Sequence, residues 1–367
     1  MARHPRQGLT LTVLVALALI APATAQSVKS PSEMDGDELF AAWRATGASV
    51  LTAAFPDSTR FEKFRNDFRD RTLKRWVEKS PGAATWKPNP LKAMFMLDIA
   101  VVAQPRHRYW ADFLHLGLDY FRERLDTVGA DESMDAFEIL WSKTAISFAS
   151  GRRQPEVVEA LVKLLLRRMA PVPAPPPTRR GAVVVKKLVD PWIVLMQGYA
   201  QEAYVHLSRE HLEDHSPAAI TAYDRAAQFE ETRAEATIRK AWLQLESRRA
   251  ADALTTIETF DDAWTNEAVL LYWARLIRGK ALAAVGEADA ATRAYGAALE
   301  LVPSAQSPRV GILSIEAGRG RADVAEAIAK DIRTAPDPVH DPWWIYPHGD
   351  LRFFLQRERT LRAMASQ

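Results

Sequence analysis

Residues 279–303 read GKALAAVGEADAATRAYGAALELVP, and this stretch decides the fold. Ala291, Tyr295 and Ala298 are spaced four and three residues apart, which places all three on one face of a helix. Gly286 precedes that helix and Pro303 follows it, as turn and terminator residues do. A small first residue lets two helices approach closely, and the larger second residue fills the gap to a neighbouring pair. The stretch therefore predicts one helical hairpin of a stacked array.

The same three-residue pattern occurs twice more, upstream of this stretch. The two earlier copies are Ala219, Tyr223 and Ala226, and Ala253, Ile257 and Phe260. The first members of successive copies lie 34 and 38 residues apart, and a fixed period of this length indicates a helical repeat. The four additional residues fall within 261–270, where a loop between hairpins would accommodate them.

The last copy resembles a tetratricopeptide repeat. The matching positions are Gly279, Leu282, Gly286, Ala291, Tyr295, Ala298 and Pro303. Arg275 and Arg278 stand where the family favours tryptophan and leucine, and Arg248 occupies the turn of the middle repeat, so the array is degenerate. The resemblance covers about residues 197–303 and implies an all-α fold. The implied architecture is a helical-hairpin repeat, that is, an α-solenoid that forms a tetratricopeptide-like superhelix. An N-terminal helical region would precede it.

Helical periodicity and proline positions give the predicted domain organisation. Six helices are expected before a proline-rich stretch, at 37–54, 59–78, 91–103, 109–125, 134–149 and 155–169. The stretch PVPAPPPTRRG at 171–181 favours a stiff exposed spacer over a polyproline ligand for another protein. The predicted regions are a signal peptide at 1–25, an N-terminal all-helical region at 26–170, a linker at 171–187, a tetratricopeptide-like region at 188–335 and an aromatic C-terminal cap with a final helix at 336–367.

The N-terminus has the three parts of a secretory signal peptide. Arg3 and Arg6 precede an apolar run at 9–20, and Ala23-Thr24-Ala25 supplies the small residues that signal peptidase requires. We expect cleavage after Ala25 and a periplasmic or secreted protein. The alternative is an uncleaved anchor, although the run is shorter than the roughly 20 residues that cross a bilayer.

Composition narrows the possible classes of function. The chain has no cysteine, which excludes disulfides and thiolate metal sites. It has 48 basic and 46 acidic residues. Arg3 and Arg6 of the predicted leader account for the difference, so the chain after the leader has no net formal charge. A balanced chain gives no electrostatic indication of binding to nucleic acid or to an anionic membrane. We expect neither partner, and no stable membrane insertion after the leader is removed.

The resemblance also implies a partner-binding face. First helices of such repeats line a concave surface that in this family usually binds a peptide or a partner helix. The corresponding positions here are Tyr204, Ser208, His211, Ile238, Trp242, Leu245, Trp273, Leu276 and Lys280. Tyr204, Trp242 and Trp273 are the preferred contacts, because aromatic side chains anchor many interfaces. The alternative is that these aromatic residues belong to the core.

No pattern of an enzyme active site stands out. The chain lacks a phosphate-binding glycine loop, a nucleophile elbow and a dinucleotide fingerprint. The densest polar cluster, at 206–215, places His206 one turn from Glu210 and His211 one turn from His215, but the order of residues is not a known catalytic one. We predict no catalytic residues, no metal site and no cofactor.

The C-terminal stretch DPWWIYPHGD at 341–350 is unusually aromatic. It would cover the apolar end of a stacked array, or alternatively form a platform for a sugar or a peptide. Since every recognisable feature is architectural, the sequence favours an exported scaffold or adaptor that binds a protein or peptide. The alternative is a degradative or carbohydrate-handling enzyme, or an accessory to one, with a site formed by scattered helical residues.

Overall fold

The structure, a computed structural model, describes residues 29–78, 88–127, 135–168, 190–206, 210–334 and 341–367. All regular elements within these ranges are helical, so the predicted all-α class is confirmed. The predicted signal peptide and proline-rich linker lie outside the described residues, as does Ser208. Within the same ranges, none of the helices combines the length and apolar character that crossing a membrane requires.

The α-helices are α1 Gly36–Thr46, α2 Ser49–Ala54, α3 Ser58–Asp67, α4 Lys74–Glu78, α5 Pro90–Ala103, α6 Asp112–Thr127, α7 Ala136–Gly151, α8 Pro155–Arg168, α9 Pro191–Val205, α10 Glu210–Ala226, α11 Glu230–Glu246, α12 Ala250–Glu258, α13 Ala268–Ala284, α14 Ala288–Leu301, α15 Gln306–Gly318, α16 Ala322–Thr334 and α17 Phe354–Ala365. A π-helical turn, Phe68–Leu73, joins α3 to α4, and 3₁₀ turns lie at Pro31–Glu33, Asp262–Trp264 and Pro342–Phe353.

Local sequence explains where these helices begin and end. Asp35 and Asp135 each cap a helix whose third residue is a glutamate that bonds back to the cap. Asp190 caps α9 just before Pro191, a position where the missing amide hydrogen costs nothing. The turns that close three hairpins each contain a residue with positive φ: Arg248 (59°), Gly286 (88°) and Gly320 (74°). Arg248 therefore adopts a backbone conformation that glycine would adopt more easily.

Successive helices from α7 to α16 pack against one another as neighbours, and a second set of contacts links every other helix. Helices α7, α9, α11, α13 and α15 touch in that order and form what we call the inner layer. Helices α8, α10, α12, α14 and α16 pack between them on the other side. Helices α7 to α16 thus form two layers.

The three-residue pattern seen in the sequence lies at the contact between the layers. Ala291, Tyr295 and Ala298 are buried. The Tyr295 ring lies against Gly279 of its own hairpin and Gly311 of the next, so closely that an added Cβ on either glycine would come within 2.5 Å of the ring. Gly198 makes the same kind of contact with Tyr223, where the closest approach would be 2.1 Å. Tyr223 and Tyr295, the middle residues of two of the three patterns, therefore each pack against a glycine.

The buried side chains form two clusters. One extends continuously from α1 to α11 and includes Leu361 of α17; the other covers α11 to α15 and includes Tyr346. The first cluster contains residues from both sides of the proline-rich linker, such as Leu161 and Leu195. The N-terminal helices and the repeat-like helices therefore share one core.

The C-terminal segment, Asp341–Phe353, does not extend beyond α16. It returns to the inner layer, where it packs on α7, α9 and α13, and α17 then packs on α5 and α7. Asp341 caps the segment by accepting a hydrogen bond from the Trp343 amide (2.9 Å), and Pro342 takes the first helical position. The segment thus lies across helices from both halves of the chain.

Candidate functional site: the inner layer and the C-terminal segment

The inner layer and the C-terminal segment meet around four aromatic side chains. The Trp343 ring stacks on Tyr346 (centroids 4.6 Å apart) and meets the Trp242 ring edge-on, also at 4.6 Å. Trp273 contacts Tyr346 at 5.1 Å, and its indole nitrogen donates to the Pro342 carbonyl over 2.9 Å. Helices α11 and α13 thus form an aromatic surface that holds the segment.

Lys280 completes this surface. Its ammonium group lies 5.6 Å from the Trp242 ring centre and 5.5 Å from that of Trp343, within the range of cation–π attraction. Burial lowers the pKa of Lys280, and the more distant Glu246 and Asp341 only partly oppose this effect. Among the described residues, no carboxylate lies within ion-pair distance of its nitrogen.

The start of the segment is fixed by the carboxylate of Asp341, which is almost fully buried. Its two oxygens accept hydrogen bonds from the Tyr272 hydroxyl (2.6 Å) and from the Ser307 amide (2.7 Å). Burial and the nearby carboxylate raise the pKa of Tyr272, so the phenol stays protonated and remains a donor. The first turn of α15 and the second turn of α13 therefore provide a site for an acidic side chain.

A buried network of charges lies beside the aromatic surface. Arg239 of α11 donates to Glu202 over 2.9 Å and to Glu235 over 2.8 Å, and its guanidinium lies 4.4 Å from the Tyr199 ring centre and 4.6 Å from that of Tyr346. Arg239 is 1% exposed. A guanidinium can be buried this deeply because two carboxylates compensate for its lost hydration.

Both carboxylates in this network remain ionised. Burial alone would raise the pKa of Glu202, but Arg239, His206 and the Tyr223 hydroxyl together lower it to about 2. Burial acts in the same way on Glu235, and Arg352, Arg239 and the Tyr199 hydroxyl lower its pKa to about 2. These glutamates accept hydrogen bonds at ordinary pH and hold no proton that they could donate.

Asp350 forms a second buried ionic contact, with α7 and α17. Its carboxylate pairs with Arg357 and accepts a hydrogen bond from Ser147 (3.2 Å). Burial raises the pKa of Asp350 despite Arg357 and Arg352, so desolvation is the dominant influence. A cavity of about 10 Å³, room for about one water molecule, is lined by Glu202, His206 and Gly349.

The residues that the sequence assigns to a partner-binding face do not lie together in the structure. Trp242, Trp273 and Lys280 surround the C-terminal segment, as described above. Ile238, Leu276 and Leu245 belong to the core cluster of α11 to α15, the first two without exposure. Ser208 lies outside the described residues.

Tyr204 and His211 form a separate group at the α9–α10 corner. Tyr204 stacks on His215 with centroids 4.4 Å apart, and His211 lies 5.5 Å from His215. The Tyr204 hydroxyl donates to Glu159 of α8 over 3.1 Å. No group of three or more potential metal ligands forms among the described residues, here or elsewhere.

Larger recesses lie on the surface of the two layers. One of about 620 Å³ lies between α10 and the α11–α12 turn and is lined by Leu212, Glu246 and Arg248. Another of about 470 Å³ lies between α8, α9 and α10 and is lined by Glu159, Gln201 and Arg225. None of the eight predicted partner residues that the structure describes lines either recess.

Sequence reasoning missed the charged network and the binding position of the C-terminal segment. The available signal was Glu235 and Arg239, which are one turn apart on the same face of α11 as the apolar Trp242. A charged pair at core-facing positions indicates a buried ionic contact, but its partners Glu202 and Arg352 are too distant in sequence to identify.

No protein-family model matches the chain, and no curated protein is significantly similar to it.

Proposed function

We propose that this protein is an exported helical-repeat scaffold of the tetratricopeptide-like kind, which binds a segment of another protein along its inner layer in the periplasm or the cell envelope and performs no catalysis. The observation that supports this proposal is the contact between the inner layer and Asp341–Phe353. Helices α7, α9, α11 and α13 already hold a non-α-helical segment through aromatic, hydrogen-bonding and ionic contacts. A foreign segment of similar chemistry could use the same side chains.

The chemistry of the buried carboxylates favours a scaffold over a hydrolase. A general acid needs a carboxyl group that keeps its proton near neutral pH. Glu202 and Glu235 have pKa values lowered to about 2, and both are bound to Arg239. Asp98 and Asp350 have raised pKa values, but both are buried and paired with an arginine.

A selection from a peptide display library with the purified protein tests the proposal. We expect the selected peptides to bind the wild-type protein and to bind Trp242→Ala at least about tenfold more weakly, since truncating a central aromatic anchor typically costs about 2 kcal/mol or more. Trp264→Ala is the matched control, because this tryptophan lies in the α12–α13 loop against Arg233 and not against the C-terminal segment. Peptides that bind both variants as tightly as the wild type would contradict the assignment to the inner layer.

A further inference from the structure

The C-terminal segment occupies the side chains that would otherwise receive a partner. Asp341 accepts the hydrogen bonds that Tyr272 and the Ser307 amide donate. The Trp343 ring contacts Trp242 edge-on and lies within cation–π distance of the Lys280 ammonium. The three members of the predicted partner face that lie together, Trp242, Trp273 and Lys280, all contact this segment. A partner can bind there only where the segment has moved away.

The segment is held differently before and after Gly349. After Gly349 the contacts are ion pairs with buried carboxylates: Asp350 with Arg357, Glu235 of α11 with Arg352, and Asp98 of α5 with Arg362 of α17. Leu361 adds a fully buried side chain. Opening this part would separate several charges from their partners in a water-poor interior, which is costly.

Before Gly349 the contacts are aromatic rings and hydrogen bonds. Asp341, Trp343 and Tyr346 face the inner layer, whereas Trp344 is 61% exposed and Ile345 is 43% exposed. Adjacent large apolar side chains with this exposure are uncommon on a protein surface and frequently mark an interaction site. This part can leave the inner layer without breaking a salt bridge found in the structure.

Gly349 lies at the junction between the two parts and has a backbone that suits a pivot. Its φ of 52° with ψ of −120° lies in a region that residues with a Cβ rarely adopt. An added Cβ would also come within 3.0 Å of the Ser150 Cβ on α7. The 3₁₀ segment is kinked at this glycine, between the part held by rings and hydrogen bonds and the part held by ion pairs.

We propose that Asp341–Tyr346 is a built-in occupant of the partner site, which turns about Gly349 and is displaced by a partner segment in which an acidic residue is followed by aromatic residues. The acidic residue is specified by the donors that meet Asp341 and by the Lys280 ammonium, which has no carboxylate within ion-pair distance in the described part of the chain. The aromatic residues are specified by the surface of Trp242 and Trp273. This inference rests on the proposed function and assigns its ligand chemistry.

Native-state hydrogen exchange of the full chain tests the opening without any substitution. We expect the amides of Trp343, Trp344, Ile345 and Tyr346 to exchange at least about tenfold faster than those of α7, α11 and α17, because local opening requires less free energy than global unfolding. Exchange of these amides only at the rate of global unfolding would overturn the proposal. This experiment needs no foreign partner, so a failed peptide selection and a segment that does not open are distinguishable outcomes.

Binding of a labelled synthetic peptide, DPWWIYP, tests the ligand chemistry. We expect full-length Trp343→Ala to bind this peptide at least about tenfold more tightly than the wild type does, because the substitution weakens the competing internal segment. Trp344→Ala is the matched control and should bind like the wild type, since its ring is largely exposed. If folded Trp343→Ala, judged by circular dichroism, binds no more tightly than the wild type, the proposed competition is refuted.

Discussion

The Arg352 guanidinium donates two hydrogen bonds to the carboxylate of Glu235, 117 residues earlier in the chain. Arg352 belongs to the C-terminal segment and Glu235 to α11, and Glu235 also accepts a hydrogen bond from Arg239. The Glu235 carboxylate thus fixes the C-terminal segment to the inner layer and also compensates the charge of Arg239, which is buried in that layer. This relationship links the stability of the fold to the position of the segment.

The first prediction concerns this ion pair. Arg352→Met should lower the free energy of unfolding by about 3 kcal/mol or more, because it removes one partner of a buried pair. The double variant Arg352→Met with Glu235→Gln should cost less than the sum of its two single variants. Urea unfolding followed by circular dichroism measures all three.

Arg249→Met is the control for that series. Arg249 pairs with Asp252 on the surface, where both side chains are about half exposed, and exposed pairs contribute at most about 1 kcal/mol. Equal losses for Arg249→Met and Arg352→Met would mean that the buried pair has no special role in stability.

The second prediction is a loss of stability in acid. The folded protein holds the pKa of Glu202 and of Glu235 at about 2, below the ordinary value of 4.5. Each group therefore contributes stability above about pH 4.5 that is lost as the pH falls toward 2. Asp98 and Asp350 have raised pKa values and act in the opposite direction, but only above their ordinary value of 3.8.

Urea unfolding between pH 6 and pH 2.5 measures this effect. We expect the free energy of unfolding to decrease most steeply below about pH 4.5. The variant with Arg352→Met and Glu235→Gln should show a shallower decrease, since one of the two glutamates no longer titrates. An unchanged slope in that variant would show that the acid sensitivity arises elsewhere.

The third prediction tests the contact between the layers with two glycines of neighbouring helices. Gly279→Ala should destabilise the protein by about 1–3 kcal/mol, because its Cβ would overlap the Tyr295 ring. Gly296→Ala in α14 has nothing within 4 Å of the new Cβ and should stabilise by up to about 1 kcal/mol through helix propensity. Thermal unfolding of the two variants distinguishes them; a shift of equal sign for both would contradict the packing described.

The fourth prediction concerns export. When the full chain is produced in a bacterial host with a working secretion system, the mature protein should be recovered from the periplasm or the medium with Gln26 as its first residue. N-terminal sequencing provides the measurement. Ala25→Arg is the control, because an arginine at the cleavage position should leave the leader attached; recovery of the intact leader from the wild type would favour the anchored alternative.

The sequence predicts the helical class and the packing of neighbouring helices, because both depend on local periodicity, but it does not predict every helix boundary. The spacing of Ala291, Tyr295 and Ala298 correctly indicated a buried face, and Arg248 stands in a turn as expected. Helix 37–54 was predicted as continuous, but Gly47 adopts positive φ and divides it into α1 and α2. The predicted helix at 59–78 contains a π-helical turn that periodicity does not reveal.

The site was less accessible to sequence reasoning, because it is assembled from contacts between distant residues. Trp242, Trp273 and Lys280 were identified from their register on first helices, and all three lie on the surface that meets the C-terminal segment. Nothing in the register showed that Trp343 would occupy this surface. Long-range pairs such as Arg362 with Asp98, 264 residues apart, follow no period in the sequence.

The central claim is that a partner segment binds the inner layer in place of Asp341–Tyr346. Because the chain has no cysteine, Trp344→Cys and Arg278→Cys can carry two spin labels without interference. Leu355→Cys with Arg278→Cys is the matched pair, since Leu355 is exposed on α17 beyond the pivot. The measurement is the distance distribution of each pair by double electron–electron resonance, before and after a selected peptide is added.

We predict that bound peptide lengthens and broadens the distance between positions 344 and 278 and leaves the distance between positions 355 and 278 unchanged. If the peptide binds while both distributions stay unchanged, the partner does not replace the segment, and the central claim is contradicted.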